Sequence, residues 1–321
     1  MALTMVDIAR GLKDEVVQGV LLQWARQSQL MQNIPFEDVN SFIVKTWQNK
    51  TVTDAVFRDV GEAYSETKDE FTEKFEGVFL LGGQIDIDRA LRLPGKMELD
   101  AHAENLSLQS ERFMFGFTET FINGDRTTSP KGFDGLLKRT TDLDTGGDTD
   151  ARIKNASGLD LSTTSANRQT FLDQMHESFF NVRNGQPDLI ISGKRGFLSL
   201  RSVARREGLL DTTKDQFDRV IDVFAGVPIM FAGTKGDQST EIIGNAELND
   251  GSAITGGSAT SLYVVKWGMP NIIGLQMGGP ERTFDDITDD GVTHRTVFEW
   301  PVGLATFDNR SMVRISGVIP I

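Results

Sequence analysis

Residues 48–77 read "QNKTVTDAVFRDVGEAYSETKDEFTEKFEG", and this polar stretch constrains the fold more than any other part of the chain. It is flanked by two β-prone runs, "NSFIVKTW" before it and "VFLLGGQIDI" after it. Its middle places too few apolar residues in any regular order to close a core of its own. A connection of this length inside a compact domain signals function or disorder. Two strands joined by such an excursion predict a projecting hairpin. Its β-branched and aromatic residues, Trp47, Phe57, Tyr64 and Phe71 among them, suit it to order against another surface.

The rest of the chain supplies the body from which a hairpin could project. Residues 5–31 read as an amphipathic helix, with Val6, Leu12, Val16, Val20 and Trp24 near helical spacing, weakened by Gly11 and Gly19. It is either an ordinary packed helix or an arm that docks on a partner. Pro94 opens a second, longer helix whose apolar stripe is Leu99, Leu106, Phe113, Phe117 and Phe121, ended by Gly124. The turn "GDRTTSPKGFDGLL" then buries Phe133 and the pair Leu136–Leu137. Residues 141–165, rich in Asp, Thr, Ser and Gly, read as a loop or a hairpin excursion. Beyond them come a helix at 166–181, a buried strand, a turn at Gly193 and another helix, then apolar strands to the end. Helices and strands mix without regular alternation, so the fold class is α+β.

Few chemistries are open to this chain. With no Cys, thiolate chemistry and disulfides have no material, and with three scattered His (His102, His176, His294) a His-rich metal site or a Ser/His triad has few candidates. A net charge of −13 argues against a general grip on nucleic acid, while leaving proximity to DNA open. The N-terminus lacks an apolar signal core, which predicts no export, and no run is long enough for a membrane helix. Asp86 and Asp88 alternate with Ile85 and Ile87, so both carboxylates share one strand face. They read either as a divalent-cation or acid–base pair, or as a solvated, salt-bridged face. Asp142, Asp144 and Asp148 have calcium-loop spacing, but Ile153 stands where the closing Glu belongs, and a flexible acidic loop is the better reading. "SGKRGF" (192–197) offers Lys194 and Arg195 at a helix start to an anion or an acidic neighbour, without the full phosphate-loop motif. "ARRE" (204–207) reads as a short charged face, and His176 as a packing residue. Nucleophile, base and oxyanion donors come together in no motif.

Taken in order, these segments resemble the major capsid protein of tailed phages, the Hong Kong ninety-seven fold. The resemblance is carried by "LLGGQIDIDRAL", "FINGD" with "PKGFDGL", "PDLIISGKRGFLSLRSVAR", "FAGVPIMFAG", "TSLYVVKWG" and the closing "FEWPVGLATFDNRSMVRISGV". It implies an N-terminal arm helix (1–35), an extended loop hairpin (36–93) and a peripheral domain with a long spine helix (94–165). An axial domain (166–280) and C-terminal strands completing both domains (281–321) would follow. It also implies that Gly124 ends the spine helix and that Phe133 and Leu136 pin the following segment. Trp24, Trp47, Phe57, Tyr64 and Phe71 become candidate inter-subunit contacts.

The function implied is self-assembly of hexamers and pentamers into an icosahedral shell enclosing double-stranded DNA. No enzyme activity and no cofactor are expected. Scaffolding, portal or decoration proteins are the further partners implied, with any scaffold a separate chain, and the virion capsid, assembled in the host cytoplasm, is the implied location. Some members of the family cross-link through a Lys–Asn bond. Lys50, Lys68 and Lys74 lie near the loop, but no motif marks a pair, so a non-covalent shell is expected. The same fold implies an alternative, an encapsulin-type compartment holding enzyme cargo. A soluble metal-dependent enzyme using Asp86 and Asp88 is the third reading.

Overall fold

Strands form in this molecule where apolar residues run almost without interruption. The segments Thr260–Val265, Ile272–Gln276 and Met312–Ile319 bury nearly every side chain, as interior strands covered on both faces do. The computed structural model describes residues 3–11, 15–51, 55–64, 70–88, 101–145 and 153–321.

The chain begins with β1 (Leu3–Thr4), α1 (Met5–Gly11), α2 (Glu15–Gln27) and α3 (Gln29–Asn33), followed by β2 (Pro35–Asp38), β3 (Ile43–Thr51) and β4 (Glu70–Asp88). Next are α4 (Ala101–Asn123), α5 (Leu136–Thr145), β5 (Ile153–Asp160), α6 (Ser165–Asn181), β6 (Leu189–Ser192) and α7 (Lys194–Arg206). The hairpin strands β7 (Leu210–Lys214), β8 (Val220–Phe224) and β9 (Val227–Phe231) follow. The chain closes with β10 (Thr260–Val265), β11 (Ile272–Gln276), β12 (Glu281–Ile287), β13 (Thr293–Thr306) and β14 (Met312–Ile319).

Two sheets organise these elements. Named after the layers the resemblance implies, the peripheral sheet runs β1-β2-β11-β13-β4-β3, with β12 also paired to β13, and the axial sheet runs β5-β14-β10-β6-β9-β8-β7. Strand alternation splits the axial sheet between two cores. Ile190, Leu262, Val264, Val313 and Ile315 face α6 and α7, meeting Phe171, Met175, Leu200 and Val203. Leu189, Ile191, Tyr263 and Val265 join the larger core built with the arm helices and α4.

That larger core is aromatic. Trp24 stacks on Phe113 at 5.1 Å, Phe117 on Trp300 at 5.2 Å, and Phe36 lies 5.3 Å from Trp300. Phe133, buried after the α4 turn, lies 6.0 Å from Phe117. Leu136 is fully buried beside it. Gly124 and Gly135 make this turn possible through close backbone approach. The Gly135 N–H donates to Gly124 O at 2.8 Å. A Cβ on Gly124 would sit 2.3 Å from Phe133 O, and one on Gly135 2.6 Å from Thr120 O. No side chain fits at either position.

The structure departs from the sequence reading in three places. The helix expected over 5–31 is interrupted at Ser28, whose extended backbone (φ −117°, ψ 117°) separates α2 from α3. Leu12 lies outside the described residues, as do Pro94 and Leu99 of the long helix. The loop expected over 141–165 is largely ordered as the end of α5 and as β5. Finally, sheet membership divides the chain elsewhere than at 166 and 281, because β5 joins the axial sheet and β11 the peripheral one.

Candidate assembly surface

The projecting element is the antiparallel pair of β3 with the first half of β4. Ile43 faces Gly77, Lys45 faces Phe75 and Trp47 faces Glu73. Because side chains alternate along a strand, these residues share one face. It is exposed: Ile43 by 65%, Trp47 by 52% and Phe75 by 57%. Lys45 ties the face together, bonding Glu73 at 2.8 Å while its ammonium sits 4.3 Å from the Trp47 ring. Residues 55–64, between the strands, are exposed throughout. Phe57 and Val60 are as open as in an extended chain, and Arg58 lies over Tyr64 at 5.1 Å. Soluble chains rarely leave so continuous an apolar surface without a partner for it.

The opposite face of the hairpin is buried at its root. Glu76, 3% exposed, meets Arg139 of α5 in a two-pronged ion pair at 2.6 and 2.8 Å. The remaining Arg139 donors reach Asp134 O at 2.8 Å, Leu304 O at 2.9 Å and Thr306 Oγ1 at 3.1 Å. All five guanidinium N–H groups are therefore used, and one side chain fastens hairpin, turn and β13. Burial alone would raise the Glu76 carboxyl, but the Arg139 charge and hydrogen bonds, helped by Lys74, hold it below the usual range. Lys74 approaches Glu76 at 3.5 Å, and burial together with Arg139 lowers its own pKa. Neither Glu76 nor Arg139 stands out in the sequence. The available signal was a cation at the i+3 position after Leu136, on the stripe that also carries Thr140.

The other sequence candidates sort as follows. Trp24 is not an inter-subunit contact: the amphipathic face of α2 finds its cover in the chain's own aromatic core, leaving Trp24 2% exposed. Trp47, Phe57 and Tyr64 lie on the exposed hairpin. The Phe71 backbone pairs with Asn49 in the same hairpin, and its side chain lies outside the described residues. Lys68 and Asp148 also lie outside them, as does the side chain of Lys50.

The metal reading of Asp86 fails. Both of its oxygens accept from Arg295 at 2.8 Å, a pairing that lowers the Asp86 pKa. Among the described residues no three His, Asp or Glu side chains converge as a metal site. Asp142 and Asp144 lie on the helical backbone of α5, where a calcium loop cannot form. At the start of α7 the Lys194 N–H donates to Glu241 Oε2 at 3.1 Å, so this helix end is met by an acidic neighbour from its own chain. His176 packs 5.4 Å from Phe224.

Neither a protein-family model nor a curated protein matches the sequence. Solved structures do match in fold. The chain superposes on the SrpI encapsulin of Synechococcus elongatus with a TM-score of 0.61 at 13% identity, covering 92% of this chain and 88% of that one. The capsid of a native GTA particle gives 0.61 at 12% identity, covering 96% and 92%. A chain of Mycobacterium phage Bobi gives 0.56 at 11%, covering 90% and 89%.

This is the tailed-phage capsid fold. In its terms, the β3–β4 hairpin is the extended loop, α4 the spine helix, and the two sheets the peripheral and axial layers. The extended loop is the most exposed apolar element among the described residues, and Arg139 roots it.

Proposed function

We propose that this chain is the major capsid protein of a tailed phage, assembling through its extended loop into hexamers and pentamers of an icosahedral shell around double-stranded DNA. The observation that carries this reading is the hairpin. A shell fold presents a rooted, two-stranded arm whose Ile43, Trp47 and Phe75 face stays exposed among the described residues. Burying such side chains gains about 1.5–3 kcal/mol each, and a second copy of the chain is the partner that a self-assembling shell supplies. Self-association through two different surfaces closes into rings when the rotation fits.

Negative-stain electron microscopy with size-exclusion chromatography tests this directly. Wild-type protein is expected as shells tens of nanometres across or as rings of subunits. A double variant Trp47→Ser with Phe75→Ser is expected to stay unassembled with an unchanged unfolding midpoint, because both residues are exposed in the subunit. Wild-type protein that remains a monomer under varied salt and crowding would sink the reading.

The likeness to an encapsulin sustains a second reading, a compartment for enzyme cargo. The contents of purified particles decide between them, DNA for the phage shell and a co-purifying enzyme for the compartment.

A further inference from the structure

The one strongly cationic surface among the described elements is α7, "KRGFLSLRSVARR". It holds five of the chain's 33 Lys and Arg, and all 46 acidic residues lie outside it. Helical spacing places Lys194, Leu198, Arg201 and Arg205 in one stripe, with Arg195, Ser202 and Arg206 beside it. The five cations are all exposed, while Leu200, Val203 and Ala204 on the opposite side are buried against the axial sheet. Arg201 pairs with Asp222 at 3.1 Å. Among the described residues the side chains of Lys194, Arg195, Arg205 and Arg206 enter no ion pair, and the acidic Glu207 follows only after the helix has ended. The neighbouring α6, on the same face of the sheet, exposes two acids, Asp173 and Glu177, among neutral residues, and Glu177 is tied to Lys154. The positive field is therefore confined to one helix on a chain of net charge −13.

We propose that the exposed face of α7 binds the phosphate backbone of double-stranded DNA, and thus faces the inside of the shell; this deepens the reading of the chain as a DNA-enclosing capsid and rests on it. Three features favour DNA over a protein partner. The stripe carries a single large apolar residue, Leu198, whereas the centres of protein interfaces are apolar and depleted of charge. Interfaces with DNA are cationic and wet, so unpaired arginines need not be desolvated to contribute. The Arg fork matches phosphate geometry, and a helix of 13 residues spans about 20 Å, the axial rise of about six base pairs. The contact reads no sequence, since phosphates carry none. An acidic subunit with one basic stripe touches DNA locally and is repelled elsewhere, which lets packaged DNA slide.

The test is a salt titration of a 30-base-pair duplex against unassembled subunits, wild type and the triple variant Arg195→Gln, Arg205→Gln, Arg206→Gln. Each phosphate contact adds about 0.9 to the magnitude of the slope of log K against log salt. The triple variant is expected to reduce that slope by roughly 2 to 3 and to weaken binding tenfold to a hundredfold near ~50 mM salt. Electron microscopy of the same variant should still show shells. Wild-type subunits that do not bind at ~20 mM salt, or a variant with an unchanged slope, overturn the proposal. A variant that binds DNA normally but no longer assembles also overturns it, making α7 a contact between copies. Wild-type protein that shows the slope yet never forms shells refutes the shell while keeping α7 as a DNA-binding face.

Discussion

The peripheral and axial sheets each bury a carboxylate–guanidinium pair, and the two pairs behave in opposite ways. Glu76 and Arg139 root the hairpin; Glu247 and Arg314, 2.7 Å apart, fasten the long segment between β9 and β10 to β14. Both pairs are almost wholly withdrawn from water. Glu76 receives two Arg139 nitrogens and has Lys74 close by, and its carboxyl is held below the usual range against the cost of burial. Glu247 receives one Arg314 nitrogen and the Ser261 hydroxyl, and burial wins, raising its carboxyl above the usual range. Burial penalises a charge in both places, and the number and geometry of cations decide the sign.

The comparison can be broken in order of expected effect. Arg139→Met leaves the buried Glu76 with only Lys74, 3.5 Å away, as its cation, and should cost about 3–5 kcal/mol in denaturant unfolding of subunits. A change below about 1 kcal/mol would mean that the root is solvated and that the clamp does not hold it. Phe133→Ala is expected to lose a similar amount, about 3–5 kcal/mol, through the cavity against Phe117; wild-type yield and melting temperature would refute the structural role of that turn.

The pH dependence sharpens the contrast. Glu76 has a lowered folded pKa, so its contribution is present above the ordinary glutamate value of 4.5 and lost as pH falls through the folded value. Glu247 has a raised folded pKa, so the folded state takes up its proton first, and the stability it contributes is lost as pH rises through that folded value. Relative to Glu247→Gln, the wild type should therefore gain stability as pH falls from neutrality towards 4.5; relative to Glu76→Gln it should lose stability below 4.5. Unfolding midpoints across a pH series read both, and parallel curves would mean that the two sites do not differ. The smallest effect belongs to the exposed Asp86–Arg295 pair, where Asp86→Asn should leave the midpoint unmoved within error.

What the sequence disclosed follows the range of its signals. The turn at Gly124, Phe133 and Leu136 was legible because glycine and buried apolar residues act within a few positions of each other. The hairpin was legible because a long polar excursion between β-prone runs has few other outcomes. The order in α5 and β5 was not, since "LLKRTTDLDT" and "IKNASGLD" lack an apolar period and are held by partners distant in sequence. Arg139 and Glu76 are 63 positions apart, and nothing local marks either. For the same reason Trp24 was misplaced: a sequence shows that a helix has an apolar face, not which surface covers it.

β4 runs unbroken from the hairpin into the centre of the peripheral sheet, pairing with β3 through Gly77 and with β13 from Val78 onward. The arm is thus the free end of a beam whose other end is clamped in the body of the subunit. A neighbour that displaces the tip cannot swivel it as it would a tether; the load passes along one strand into the ladder with β13, where it acts in shear across many hydrogen bonds at once. In the proposed assembly the heading of the arm, and with it the angle between adjoining subunits, is set where β4 changes partners, so shell curvature should respond to substitutions at Val78, which is buried inside the subunit.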